Sequence, residues 1–206
     1  SASRSFAVPP LPVPFSGLRD PAVWIMGLIG MLMVPFDEPL VGFTIALLET
    51  ERGASAGVAT MVAFVGIVGG VLAFTVLAKR FEDVDDHRLL AGSALAMTLA
   101  AVTIAVVPVL AVVALAGLVS AIGLSLAWLA MQHRAIMLRP GQVGTTNAVL
   151  GAIESTGSWL PIGIGVVADR AGLTWALGTF AIFGGAMLAL SWVSARRDRS
   201  VTVRLR

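Results

Sequence analysis

Apolar residues collect in six long runs along the chain: about 22–48, 54–78, 89–107, one that begins just past Pro108 and continues to about 131, 144–167 and 173–194. Each is close to or above the roughly 20 residues that an α-helix needs to cross a hydrocarbon layer. The pattern therefore predicts an all-α membrane protein with six transmembrane helices. The first run is approached through Arg19-Asp20-Pro21, with proline in a favoured first-turn position. Charged clusters at Glu49–Arg52, Lys79–Arg88, His133–Arg139 and Asp169-Arg170 mark four connections, and the connection at Pro108 carries no charge.

Composition supports this reading. Of 206 residues, 57% are apolar and only 13% are Asp, Glu, Lys or Arg, with a mean hydropathy of +0.92. A soluble domain carries about 25% charged residues, so a water-soluble enzyme and a disordered chain are both excluded. The pI near 10.4 suggests nucleic acid at first sight, yet the formal charge is only +2. The basic residues stand at the ends of apolar runs, where topology accounts for them and no nucleic-acid partner is expected. There is no cysteine, so disulfides and thiolate metal sites are excluded. The first residue is Ser1 and the opening shows no signal-peptide pattern. The expectation is a fragment or the second part of a longer protein.

Sorting the basic residues by connection gives an orientation. Arg4, Arg19, Lys79, Arg80, Arg88, Arg134, Arg139, Arg196, Arg197, Arg199, Arg204 and Arg206 fall on one side, and only Arg52 and Arg170 on the other. The positive-inside rule then places both termini in the cytoplasm of a plasma or inner membrane. Three parts are expected: a Pro-rich cytoplasmic linker over 1–20, a six-helix domain over 21–195 and a basic cytoplasmic tail over 196–206. The Arg-rich tail reads as a topology signal, or as a contact for anionic lipid.

Three acids stand inside apolar runs: Asp37, Glu38 and Glu154. Each costs about 2.5–3.5 kcal/mol at a helix centre, so each should face a cavity or a partner. Pro35 and Pro39 bracket the first two and predict a kink. Adjacent helical residues diverge by about 100°, so Asp37 and Glu38 cannot both face one cavity. In the fifth run Asn147, Gly151, Glu154 and Ser158 follow a spacing of four, three and four, which predicts one polar helical face. Glu154 is the leading candidate for a proton- or cation-binding carboxylate, the structural reading being a hydrogen bond between helices. In the fourth run Ser125, Trp128 and Gln132 share a face, a candidate cavity wall, with Trp128 reading equally as an interfacial anchor. Trp24, Trp175 and Trp192 lie near run ends, as an aromatic belt would. Gly66–Gly70 and Gly184-Gly185 predict close helix crossings.

His87 and His133 are both assigned to loops, so no zinc site is expected. A serine protease of the membrane would need a buried Ser–His pair, and an aspartyl one would need a second mid-span Asp. No enzyme activity, metal or cofactor is expected.

The Pro-rich approach, the segment Pro35-Phe36-Asp37-Glu38-Pro39, the basic loop after the second helix and Gly163-Ile164-Gly165-Val166-Val167-Ala168-Asp169-Arg170-Ala171-Gly172 together resemble the second half of a major facilitator superfamily transporter, helices seven to twelve. The likeness covers about 20–195. The loop Leu77-Ala78-Lys79-Arg80-Phe81-Glu82-Asp83 keeps the charge of that family's Gly-x-x-x-Asp-Arg-x-Gly-Arg pattern but not its glycines. The resemblance implies one half of a twelve-helix fold that works by alternating access, with a missing six-helix N-terminal half as partner. It also implies a substrate site lined by the first, fourth and fifth helices of this half. The functional expectation is a secondary active transporter of a small solute, coupled to protons. Asp37, Glu38, Glu154, Asn147, Ser158, Ser125 and Trp128 are its candidate substrate or proton sites. The alternative is a six-helix receptor or assembly subunit that transports nothing.

Overall fold

A computed structural model describes residues 20–80 and 84–204, and the linker expected over 1–20 lies, apart from Asp20, outside them. Among the described residues the secondary structure is entirely helical. Five stretches are long and apolar enough to cross a membrane: Pro21–Glu51, Ala56–Val76, Asp86–Val106, Leu110–Leu138 and Leu173–Asp198. They are consistent with an integral membrane protein.

The first of these stretches is composite. Asp20 caps helix α1 (Pro21–Met33), its Oδ1 accepting the Ala22 N–H at 2.9 Å. Pro35 lacks an N–H, and Pro39 would press its ring on the carbonyl four residues back, so the helix breaks between them. A 3-10 turn, Val34–Phe36, and the non-helical Asp37 separate α1 from α2 (Glu38–Ala46). A wide π turn, Leu47–Glu51, ends the stretch. Gly53 follows at φ +67°, a conformation that side chains disfavour, and the chain reverses so that the Ala54 N–H returns to the Leu48 carbonyl at 2.8 Å.

Helices α3 (Ala56–Leu77), α4 (Asp86–Val106) and α5 (Leu110–Leu138) follow. The fifth predicted run is interrupted and is not among the five spanning stretches. It consists of α6 (Val143–Ser155), a 3-10 turn at Thr156–Trp159 and α7 (Leu160–Ala171). The cause is Pro161, whose ring conflicts with the carbonyl of Gly157 in a regular helix. Helix α8 (Leu173–Arg204) runs without a break across the boundary expected at 195–196.

The two breaks lie against each other. A β-carbon on Gly157 would stand 2.5 Å from the Met31 carbonyl oxygen and 2.9 Å from Val34 Cγ2. Gly27 faces Ile153 and Gly30 faces Glu154 in the same way, so bare backbone on both elements brings α1 and α6 together. The predicted glycine crossings are present in large part. Gly66 meets the backbone of Gly117, Gly69 meets Leu118 and Gly70 meets Ala121, joining α3 to α5. Gly184 meets Thr98 of α4, whereas Gly185 faces open space. At the centre the buried Phe180 of α8 stands edge-on to Phe36 at 5.5 Å and Phe43 at 6.2 Å, tying α8 to both sides of the first break. Outward, α3 shows Met61, Phe64, Val71 and Leu72, each at least 60% exposed, which is a surface suited to lipid.

Polar clasps close both ends of the bundle. At one, Glu51 accepts the Leu173 N–H at 2.7 Å and the Thr174 hydroxyl at 3.0 Å, capping α8. Its neighbour Arg52 donates to the carbonyls of Ile104, Ala105 and Val107 at 2.6–3.0 Å, closing the C-terminus of α4. A carboxylate at a helix N-terminus and a cation at a C-terminus each meet the favourable end of the helix dipole. Burial pulls the Arg52 guanidinium below its ordinary pKa, with Glu51 opposing the shift, and the three carbonyls offset that desolvation. At the other end Arg134 donates to Asp198 at 2.7 Å, His87 Nε2 lies 3.0 Å from the same carboxylate oxygen, and His133 pairs with Asp86 at 2.9 Å. Arg139 reaches Asp20 at 3.5 Å.

The histidines correct the sequence-based reading. His87 lies in the first turn of α4, and His133 lies inside α5, which continues past it to Leu138. Neither is in a loop, because each gains a carboxylate partner by staying on its helix.

Replacing Arg52 by Met should lower stability by about 1–3 kcal/mol, since three helix-terminal carbonyls lose a charged donor. Thermal or denaturant unfolding of the purified protein in detergent measures this. An unchanged midpoint would show that the clasp carries no load, and Arg52→Lys should recover only part of the loss.

Candidate functional site

The break between α1 and α2 turns the two adjacent acids in different directions. Asp37, itself exposed, lies on the wall of a partly open cavity of about 190 Å³ between the α1–α2 break, α2, α3 and α5. Glu38 lines a separate, open groove of about 570 Å³ between α2 and α7, shared with Asp169 and Pro161. The two acids thus diverge, but through the break and not through the geometry of a regular helix, since Asp37 stands outside either helix as the residue before α2.

The 190 Å³ cavity combines apolar walls with a few oxygen atoms. Leu40, Val62, Ile67 and Val113 are among its apolar residues, and Thr44, Ser120 and Ser125 supply hydroxyls. Thr44 donates its hydroxyl to the Leu40 carbonyl at 2.7 Å, and Ser125 donates to Ala121 at 2.9 Å. Both local bonds are the i−4 back-bonds typical of hydroxyls in apolar helices. Ser120 Oγ is buried with no hydrogen-bond partner. A buried hydroxyl left unpaired costs free energy, so this atom marks a place where a polar group is called for.

Glu154 stands apart from this cavity. Its side chain packs on Gly30 of α1, and its Oε1 is buried with no hydrogen-bond partner. Any β-carbon at position 30 would come within 2.6 Å of Glu154 Cγ and Oε1. The glycine therefore makes room for the carboxyl.

The second break separates Ser158 from the expected polar face, whose other members Asn147, Gly151 and Glu154 share the unbroken α6. Asn147 and Gly151 are exposed on α6, Glu154 turns to α1, and Ser158 is exposed within the 3-10 turn Thr156–Trp159. A spacing of four across that turn no longer means one face, because a 3-10 turn advances by three residues rather than 3.6. Of the α5 candidates, Ser125 lines the cavity, while Trp128 is 45% exposed and lines neither the cavity nor the groove. The structure thus brings Asp37 and Ser125 together and leaves Glu38, Glu154, Asn147, Ser158 and Trp128 in other places.

Thr44 and Ser120 were missed from the sequence, although a signal was present. Asp37, Val41 and Thr44 follow a spacing of four and three, and Val113, Gly117, Ser120 and Leu124 continue that rule on α5. Among the described residues no group of three or more His, Cys, Asp or Glu is placed to hold a metal ion. No family model matches the chain, and no curated protein matches it either.

Because the chain has no cysteine, single-cysteine variants report accessibility without background. Asp37→Cys should react several-fold faster with a small water-soluble thiol reagent than Glu154→Cys, whose position is closed by α1. Equal rates at the two positions would contradict the described placement.

Proposed function

We propose that this chain is one six-helix half of a secondary active transporter of the major-facilitator type, which moves a small solute by alternating access with proton coupling. The observation that carries the reading is the position of Asp37. A helix of membrane-spanning length and composition breaks between two prolines, and the carboxylate at the break lies on a cavity wall. Broken helices that present polar groups near mid-membrane are how transporters expose a binding site within lipid. A scaffold that only spans the membrane has no use for a carboxylate there, where insertion costs are largest.

Glu154 supports the proton-coupled part. Its buried, unpartnered oxygen is suited to a group that holds a proton when its neighbourhood is closed and releases it when water enters. In this reading α6 and α7 count as the fifth crossing, and the predicted sidedness places the Arg134–Asp198 clasp in the cytoplasm and the Glu51–Arg52 clasp outside. Substrate and proton reach the half from the face it turns to its missing partner, and alternating access arises as the two halves rock against each other.

The test uses the full-length protein in sealed vesicles containing a pH-reporting dye. Solute movement should change the internal pH, and Asp37→Asn or Glu154→Gln should lower the coupled rate by about tenfold or more while the helical circular-dichroism signal is kept. Unchanged uptake and efflux pH profiles in Asp37→Asn, Glu38→Gln and Glu154→Gln would refute coupling through these residues. Vesicles containing residues 1–206 alone should show no transport. Transport by that chain alone would refute the half-transporter reading.

A further inference from the structure

We infer that the 190 Å³ cavity is a binding site for a compact organic monocation, a protonated amine with an apolar body. This rests on the transporter reading for its biological sense, but the argument comes from the cavity itself. Asp37 provides the one charged side chain on its wall among the described residues. Arg52 is bonded to the carbonyl of the wall residue Ile104, yet it is held by three carbonyls and does not line the cavity.

The hydroxyls extend the same preference. Thr44 and Ser125 have each used their single O–H on a backbone carbonyl. What remains for a ligand is oxygen lone pairs, which accept and do not donate. Ser120 Oγ, 1% exposed as a residue and without a partner, is free to accept as well, and its unused O–H can turn to the ligand. A wall that offers one carboxylate and three hydroxyl acceptors matches a group rich in N–H donors and carrying positive charge. An ammonium has three donors and no acceptor. Phe36 adds an aromatic surface beside Asp37, a further favourable neighbour for a cation.

Size and composition separate an amine from a bare ion. The volume equals about six waters at liquid density, far more than one desolvated ion fills. A hard metal cation asks for about six oxygen ligands, and most of this wall is hydrocarbon. The apolar surface of Leu40, Val62, Ile67 and Val113 instead fits the carbon body of the ligand. An anion would meet the Asp37 charge, and a neutral alcohol would leave that carboxylate without a counter-charge.

The experiment measures equilibrium binding of three probes of one shape to the full-length protein in lipid nanodiscs: 2-phenylethylammonium, 2-phenylethanol and 3-phenylpropionate. The amine should bind most tightly and the carboxylate least. Asp37→Asn should weaken the amine by about tenfold or more, the scale of a charge-assisted hydrogen bond, and change the alcohol by no more than about twofold. Ser120→Leu, which fills the cavity and leaves the charge, should abolish binding of both. Circular dichroism and gel-filtration elution establish that each variant is folded, and Ser120→Ala, a smaller change, should weaken the amine while leaving the cavity open. Equal affinity for all three probes, no saturable binding of the amine, or amine affinity unaffected by Asp37→Asn would overturn the inference.

The two readings fail separately. Amine binding that depends on Asp37 and Ser120 without amine or proton movement in vesicles upholds the site and refutes transport. Proton-coupled transport of another solute by a protein that does not bind the amine upholds transport and refutes this inference.

Discussion

Hydrocarbon offers no water to a backbone N–H or C=O, so a helix that breaks within it must find its partners in protein. This chain breaks two of its long apolar runs, at Val34–Asp37 and at Thr156–Trp159. Each break is caused by proline, and each is covered by the other. Gly157 is the residue that makes this possible, since any side chain there would collide with the Met31 carbonyl and Val34. The prolines determine where α1 stops and where Asp37 emerges, and the contact at Gly157 determines how closely the second break can approach α1.

The polar groups divide into two kinds with different physical accounts. Those at the ends of the bundle are paired: Glu51 with the N-terminus of α8, Arg52 with the C-terminus of α4, and Arg134 with Asp198. Glu51 and Arg52 satisfy helix termini that would otherwise be left with unpaired backbone groups, and Arg134 with Asp198 joins α5 to α8 through side chains. Those beside the breaks are not paired in this way. Glu154 Oε1 and Ser120 Oγ are buried without partners, and two cavity hydroxyls have turned their protons to the backbone. Unpartnered buried atoms occur at the paired end as well, at His87 Nδ1 and Arg134 Nε, so it is the cavity around Ser120, and not the missing partner alone, that sets the second kind apart.

How much of this was legible depended on the range of the signal. The apolar runs and the proline-bracketed acids were readable because both act within one or two turns. Asp37 and Glu38 do line different spaces, as expected, but the helix break at Asp37 and not the 100° step of a regular helix sets them apart. The glycine crossings of α3 on α5 were readable in type, though not in partner, since Gly117 and Ala121 lie about fifty residues away in the chain. The polar stripe through Asn147, Gly151 and Glu154 lies on one continuous helix, and Ser158 leaves it because the 3-10 turn before Pro161 interrupts the run; that proline was present in the sequence to argue against extending the stripe so far. His87 and His133 were assigned to loops because charge marks helix ends, but their helices extend far enough to pair them with Asp198 and Asp86. Such pairings are set by tertiary contact, and local sequence cannot supply them.

The contact between the breaks also connects the two carboxylates most suited to function. Glu154 presses on Gly30, one turn before Val34, where the first break begins. Asp37 is the residue on the far side of that break. Since Gly27, Gly30 and Gly157 leave no slack between α1 and α6, a change in the size or hydration of the Glu154 carboxyl has two outlets. It can be absorbed by the Glu154 side chain alone, or it can move α1 at the turn that aims Asp37 into its cavity. Close-packed interfaces shift between discrete arrangements more readily than they deform smoothly. The second outlet is the one the proposed proton coupling requires, since a proton on Glu154 would then act on the broken first helix that carries Asp37.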